Sequence, residues 1–317
     1  MKQIIGIMVL ALLWTHQAFS QKVDTLAKKL DSLHAKKDSA GGKQINTNAA
    51  AYNESTQITP PAYFALLGTD FTQEVTGPFH STKKTWKKVA GFAVLEGGMF
   101  LLDKPVHRFA VDLLNRNPGF RGLSHDVTNF GAAYEIYTLG ALGVYGWVFK
   151  SPKVKTTTLL ATQSYVVAGA MESILKVLTG RQRPNYLGDG LAHPSPLFHG
   201  PFYFSINTST SFPSGHTTAA FAAATVYALE YRNHPWVPIV AYSAASLIGL
   251  SRITENKHWI SDVFAGAALG YVTGLQVVRN YHRYAYLQNH KKTIKSISMS
   301  MQYNYNHIEP ALLMNLR

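Results

Sequence analysis

Three short clusters in this 317-residue sequence hold residue types suited to phosphoryl chemistry. The first is Lys176 to Pro184, reading KVLTGRQRP, in which Lys176 and Arg183 lie seven residues apart. That is about two helical turns, so both cations can face one spot. The second is Pro213-Ser214-Gly215-His216, at the start of an apolar run. Free amides at a helix N-terminus attract anions, and glycine lets a phosphate come close. The third is Ser251-Arg252 followed by His258 and Asp262. The i,i+4 spacing of His258 and Asp262 places them on one helical face. A carboxylate on one imidazole nitrogen fixes the tautomer and leaves the other nitrogen free to attack.

Taken singly, each cluster has a plain structural use: cations complementing a helix dipole, a serine N-cap, a His–Asp pair capping a helix. Together they supply what metal-free phosphoryl transfer needs, namely positioning, charge neutralisation, a nucleophile and an acid for the leaving group.

The elements that must position these residues are helical. Six apolar stretches, at 89–102, 132–149, 157–175, 212–229, 236–250 and 263–278, are rich in Ala, Gly, Leu and Val. Their lengths fit helices rather than strands, and each is at or below the roughly 20 residues that cross a bilayer. Gly266, Gly270 and Gly274 form a GxxxGxxxG face suited to close helix packing in membranes; a soluble bundle packed on small residues is the competing reading. The fold class expected is all-α, a bundle of about six apolar helices with the site at their ends.

Hydrophobic residues make up 46% of the chain and charged residues 15%, against about a quarter in ordinary soluble domains. This excludes a disordered or fibrous chain. The net charge of +13 suits anionic partners, including lipid and phosphorylated substrates. Nucleic acid is disfavoured because the cations sit at helix ends instead of along one stripe. The sequence has no cysteine, which excludes disulfides, thiolate catalysis and cysteine-ligated metals. The clusters ask for no cofactor and no metal, since their one carboxylate, Asp262, is already assigned.

At the N-terminus, Lys2, an apolar run over 4–14 and Ala18-Phe19-Ser20 predict an export signal over 1–20. An uncleaved anchor is the alternative. Residues 21–87 read as a polar linker or extension, with 63–79 ambiguous, and 88–285 as the helical domain. In the tail, 286–317, the alternation Ile297, Met299, Met301, Tyr303, Tyr305 predicts a short strand. Lys150, Lys153, Lys155, Arg232, Arg279, Arg283, Lys291 and Lys292 would share one side of a membrane, as cytoplasmic charges do. Lys83, Lys84, Lys87 and Lys88 would lie there too, which conflicts with a cleaved signal. His107, His125, His193 and His199 read as surface or loop residues, with His193 and His199 candidates for a substrate mouth.

The motifs K-x6-RP, PSGH and SR-x5-H-x3-D, matched at every fixed position, resemble the signature of the type 2 phosphatidic acid phosphatase superfamily. The resemblance covers 157–278 well and extends loosely back to Lys88. It implies a helical bundle in which His258 is the nucleophile, Asp262 orients it and His216 protonates the leaving group. Lys176, Arg183, Arg252, Ser214 and Gly215 would hold the phosphate. The runs SFPSGHTTAAFAAA and SDVFAGAALGYVTG look more like the membrane lipid-phosphatase branch than the soluble one. The function expected is hydrolysis of a phosphomonoester or diphosphate on a lipid of the cell envelope, with the site facing the periplasm or exterior. A soluble periplasmic acid phosphatase is the alternative, ahead of a vanadate-dependent haloperoxidase or a non-enzymatic binder of anionic lipid.

Overall fold

The structure, a computed structural model, describes residues 55–185, 194–201, 210–289, 294–304 and 307–316. The expected export signal, residues 21–54 and His193 lie outside them. Seven α-helices are described: α1 (Pro60–Thr76), α2 (Lys83–Arg116), α3 (Pro118–Val148), α4 (Pro152–Thr179), α5 (Gly215–Glu230), α6 (Trp236–Thr254) and α7 (Ile260–Asn289). A 3-10 turn, Gly77–His80, joins α1 to α2. The tail forms β1 (Ile294–Asn304) and β2 (His307–Leu316), an antiparallel pair in which Met299 opposes Leu312. The expected strand is β1; its partner carried no comparable alternation.

Helix boundaries follow local chemistry. Pro60, Pro118 and Pro152 start their helices where a missing N–H costs nothing. Ser151 caps α4 by accepting from the Val154 amide, and Thr82 caps α2 through the Thr85 amide. Gly180 ends α4 in the left-handed region, φ 53°, its N–H bonded to the Lys176 carbonyl.

The helical body begins at Pro60, well before the boundary at 88 read from the sequence. The reason is tertiary. Asp70 of α1 is fully buried, accepting from Gln163 of α4 and from Asn280 Nδ2 of α7 at 2.5 Å. Glu74 accepts from Thr273 Oγ1 at 2.5 Å, and Gln276 Nε2 donates to the Asp70 carbonyl. Polar partners on α4 and α7 thus bind a segment whose own pattern reads as ambiguous.

α5 is the central helix. Thr217, Thr218, Ala220 and 222–228 are all buried. It runs parallel to α7, and the small residues anticipated from GxxxGxxxG make the contact. A Cβ on Gly266 would fall 2.7 Å from the Ser214 carbonyl oxygen, one on Gly270 2.1 Å from that of Thr218, and one on Gly274 2.5 Å from that of Ala222. Both helices advance four residues per contact, so the seam is in register from the start of α5 downward. This lock fixes Ser214, whose N–H donates to the Asp262 carbonyl at 2.9 Å.

The outward faces of α2, α3 and α6 are apolar. Leu101 and Val94 are 77% and 76% exposed, Trp147 75% and Ile239 67%, with Phe109, Val144 and Leu247 beside them. So wide an exposed apolar surface marks a lipid or protein contact. α6 and α7 are long and apolar enough to cross a membrane.

The α5–α7 seam generates a test. Gly270→Ala forces a methyl into the Thr218 carbonyl, so the helices must part. A loss on the order of 1–3 kcal/mol is expected, seen as a lower thermal midpoint in detergent. Gly68→Ala, in open space on α1, should leave the midpoint unchanged or raise it. Equal midpoints for the two variants would contradict the seam.

Candidate active site

One end of the bundle gathers the C-terminus of α4, the N-terminus of α5, the C-terminus of α6 and the start of α7. All eight predicted residues lie there. The chain reverses at Gly180, so Arg183 lies beyond the helix that carries Lys176, not two turns along it. The two meet because the loop returns. Glu172, one turn before Lys176, forms an ion pair with it, and the same carboxylate acts on Arg183.

Gly215 opens α5 against that pair. A Cβ there would come 2.7 Å from Glu172 Oε1 and 3.7 Å from Lys176 Nζ. Any larger residue would displace the Glu172–Lys176 pair. Ser214 is fully buried and its hydroxyl accepts from Thr217 Oγ1 at 2.9 Å. His216, in the first turn, is within electrostatic reach of Arg252, His258, Lys176 and Arg183. Arg252 is buried near the end of α6, and among the described residues its Nε and that of Arg183 have no hydrogen-bond partner. The Arg252 carbonyl accepts from the Lys257 and His258 amides at 3.0 and 3.2 Å, folding the connection to α7 back on itself. Ser251 uses its hydroxyl on the Ile248 carbonyl at 2.7 Å.

His258 is 2% exposed. Its Nδ1 lies 2.8 Å from the Ser211 carbonyl oxygen and 3.6 Å from Asp262 Oδ2. The hydrogen bond expected from Asp262 is therefore made by Ser211, and Asp262 contributes its charge from just outside bonding distance. A carbonyl only accepts, so Nδ1 carries the proton and Nε2 keeps its lone pair. Burial holds the ring's pKa down to about 4, against the pull of Asp262, so the imidazole is neutral near pH 7.

Asp262 is committed elsewhere because Arg181 claims it. Arg181, an unassigned position between Lys176 and Arg183 in the sequence, is 1% exposed. Its guanidinium donates to Asp262, to Asp103 of α2 and to Ser261 Oγ, the last at 2.7 Å. The rings of Phe198, Phe100, Phe212 and Trp259 surround it, with centroids 4.7–5.9 Å from its carbon. Asp103 also accepts from the Ser261 N–H at 3.1 Å. Asp262 Oδ2 accepts from the Ser211 hydroxyl and from the Trp259 amide, the latter at 2.8 Å. The Trp259 indole donates to the Gln182 carbonyl at 2.8 Å. Asp103 offered one signal, a carboxylate directly after the apolar stretch 89–102. Ser211 reaches His258 through its backbone and offered none.

His107 and His125 lie on helices, not loops. The His107 ring packs on Trp259 with centroids 5.3 Å apart, and exposed His125 stands 3.7 Å from Glu255. His199 is in a loop, its amide bonded to the Gly180 carbonyl at 3.3 Å. Among the described residues, no group of three or more His, Asp or Glu side chains is arranged to hold a metal ion.

Residues 157–286 match the PAP2 superfamily. A lipid A 1-phosphatase from Porphyromonas gingivalis is 34% identical over 170 residues, covering 52% of this chain and 34% of that protein. Lipid phosphate phosphatase 1 from Arabidopsis thaliana is 30% identical over 137 residues, covering 37% of this chain and 42% of that protein. The chain thus spans well under half the length of these two relatives. A crystal structure of a transmembrane PAP2 type phosphatidylglycerolphosphate phosphatase from Bacillus subtilis aligns at 20% identity with a TM-score of 0.44, over 66% of this chain and 98% of that one. The three motifs gathered at one end of the helical bundle all lie within residues 157–286, the stretch that matches the PAP2 superfamily.

Proposed function

We propose that the protein is a membrane phosphatase that removes phosphate from a lipid-linked phosphomonoester or diphosphate through a phosphohistidine on His258. The observation that carries the reading is the Ser211 carbonyl on His258 Nδ1. It leaves Nε2 as a neutral nucleophile among Lys176, Arg183 and Arg252. Nε2 attacks phosphorus, and the bond to the leaving oxygen breaks as His216 supplies that oxygen's proton. Water then attacks phosphorus and gives a proton to His216, the phosphorus–nitrogen bond breaks with its electron pair returning to His258 Nε2, and inorganic phosphate departs. Lys176, Arg183, Arg252 and the first amides of α5 take up the charge on the phosphoryl oxygens. A bound phosphate dianion in turn offsets the cations around His216.

A lipid substrate is supported by the apolar outer faces of α2, α3 and α6 and by the chemistry named for both relatives. These faces disfavour the soluble periplasmic alternative.

We further place the site on the face away from the cytoplasm. Lys150, Lys153, Lys155, Arg232, Arg279 and Arg283 all lie at the opposite end of the bundle. Thr56 exchanges hydrogen bonds with Tyr281 at that basic end, so the chain enters α1 there. A cleaved export signal would deliver it to the other side. This arrangement disfavours an export signal over residues 1–20.

Rapid-quench trapping tests the chemistry, with phosphatidate, undecaprenyl diphosphate, lipid A and a soluble phosphomonoester as substrates. The wild type should turn over a lipid fastest and yield acid-labile phosphohistidine. His258→Ala should yield none. His216→Ala should form it roughly 10²–10⁴-fold more slowly, less so with a leaving group that needs no proton. Phosphoenzyme in the His258 variant and none in the His216 variant would reverse the roles.

The absence of cysteine makes orientation testable. In intact cells a membrane-impermeant maleimide should label Asn117→Cys, at the site end, and spare Asn233→Cys, at the basic end. The opposite pattern would place the site in the cytoplasm.

A further inference from the structure

The phosphate cradle holds an acid that the mechanism does not use. Glu172 stands on α4, one turn before Lys176, and forms an ion pair with it; the two side chains are 12% and 23% exposed. The carboxylate also reaches the head of α5. A Cβ on Gly215 would lie 2.7 Å from Glu172 Oε1 and 3.2 Å from its Cδ. Its charge acts on Arg183 as well. Of the two acids that act on Arg183, Asp262 is committed to Arg181 and Ser211. Among the described residues, Glu172 forms an ion pair with no cation but Lys176. Its Oε2 takes one long bond, 3.4 Å from the Ser173 hydroxyl, and that hydroxyl already donates to the Gly169 carbonyl at 2.8 Å.

Lys176, Arg183 and Gly215 are groups that the proposed mechanism gives to the phosphate. A carboxylate offers them what a phosphoryl group offers, negative oxygens for cations and for the free amides of a helix start. Because Glu172 is tethered to α4, its concentration at the site is fixed and high. A phosphate that enters the cradle must take Lys176 from Glu172, and a negative charge then stays beside it. Repulsion between like charges is stronger where water is scarce.

We propose that Glu172 is an internal competitor for the phosphate cradle, one that loosens the hold of the site on phosphate and so speeds release of the inorganic phosphate product. It acts through Lys176 and is a positioning residue rather than a catalytic one. The inference rests on the phosphatase reading and adds to it how the bound anion is let go. A carboxylate that only held Lys176 in place would have the opposite effect, since its loss would leave the ammonium less well aimed at phosphate.

The test follows hydrolysis of a soluble phosphomonoester by the full chain in detergent, with inorganic phosphate as the inhibitor. In Glu172→Gln, which keeps the shape and loses the charge, the inhibition constant for phosphate should fall on the order of tenfold, and KM should fall with it. Glu172→Ala should also tighten phosphate, since the charge and not the shape competes. Glu172→Asp, which keeps the charge, should stay close to the wild type. Weaker or unchanged inhibition in both neutral variants would overturn the proposal and leave Glu172 a support for Lys176. No turnover by the wild type would overturn the phosphatase reading itself, and this inference with it.

Discussion

A guanidinium sealed from water between two carboxylates holds this site together. Arg181 binds Asp103 of α2 on one side and Asp262 of α7 on the other, inside a wall of four aromatic rings. Burying three charges is costly, and removing one partner from such a cluster typically costs about 3–5 kcal/mol. The cluster persists because every carboxylate is multiply bonded: Asp103 also takes Ser261, and Asp262 also takes Ser211 and the Trp259 amide. Ser211 then passes the order on, since the residue that donates its hydroxyl to Asp262 gives its carbonyl to His258. His258 is thus aimed by a chain that begins on α2, a helix that contributes none of the predicted catalytic residues.

That chain was only partly visible in the sequence. Lys176, Arg183, Ser214, His216, Arg252, His258 and Asp262 were legible because their chemistry is tied to helix ends, and helix ends are announced locally by glycine, proline and capping residues. The glycines of α7 were legible because their period is helical. Arg181 was not, because it sits among other cations in a loop and its partners are about 80 residues away on either side. The expected Asp262–His258 bond had the right spacing and was displaced by a competitor that spacing cannot show, the backbone of Ser211. α1 was missed for a related reason. Asp70 and Glu74 weaken its apolar pattern, and the polar side chains of α4 and α7 that satisfy them come from distant sequence.

The two halves of the molecule follow from different physics. At the site end, cations and free amides are concentrated where backbone donors already point outward, so an anion is drawn there with little rearrangement. Along the shaft, small residues let α5 and α7 touch backbone to backbone while the larger apolar side chains of α2, α3 and α6 turn outward. This arrangement suits a substrate whose phosphate must leave the membrane surface while its chains stay in lipid.

The central claim is that one anion is held by all three cations with His258 Nε2 at its phosphorus. A crystal structure with orthovanadate, which takes up the five-coordinate geometry of the transition state, tests it most directly. The account predicts vanadium bonded to His258 Nε2, with its oxygens on Lys176, Arg183, Arg252 and the Gly215 amide and with His216 opposite the histidine bond. Vanadate bonded to His216, or bound away from His258 altogether, would contradict it.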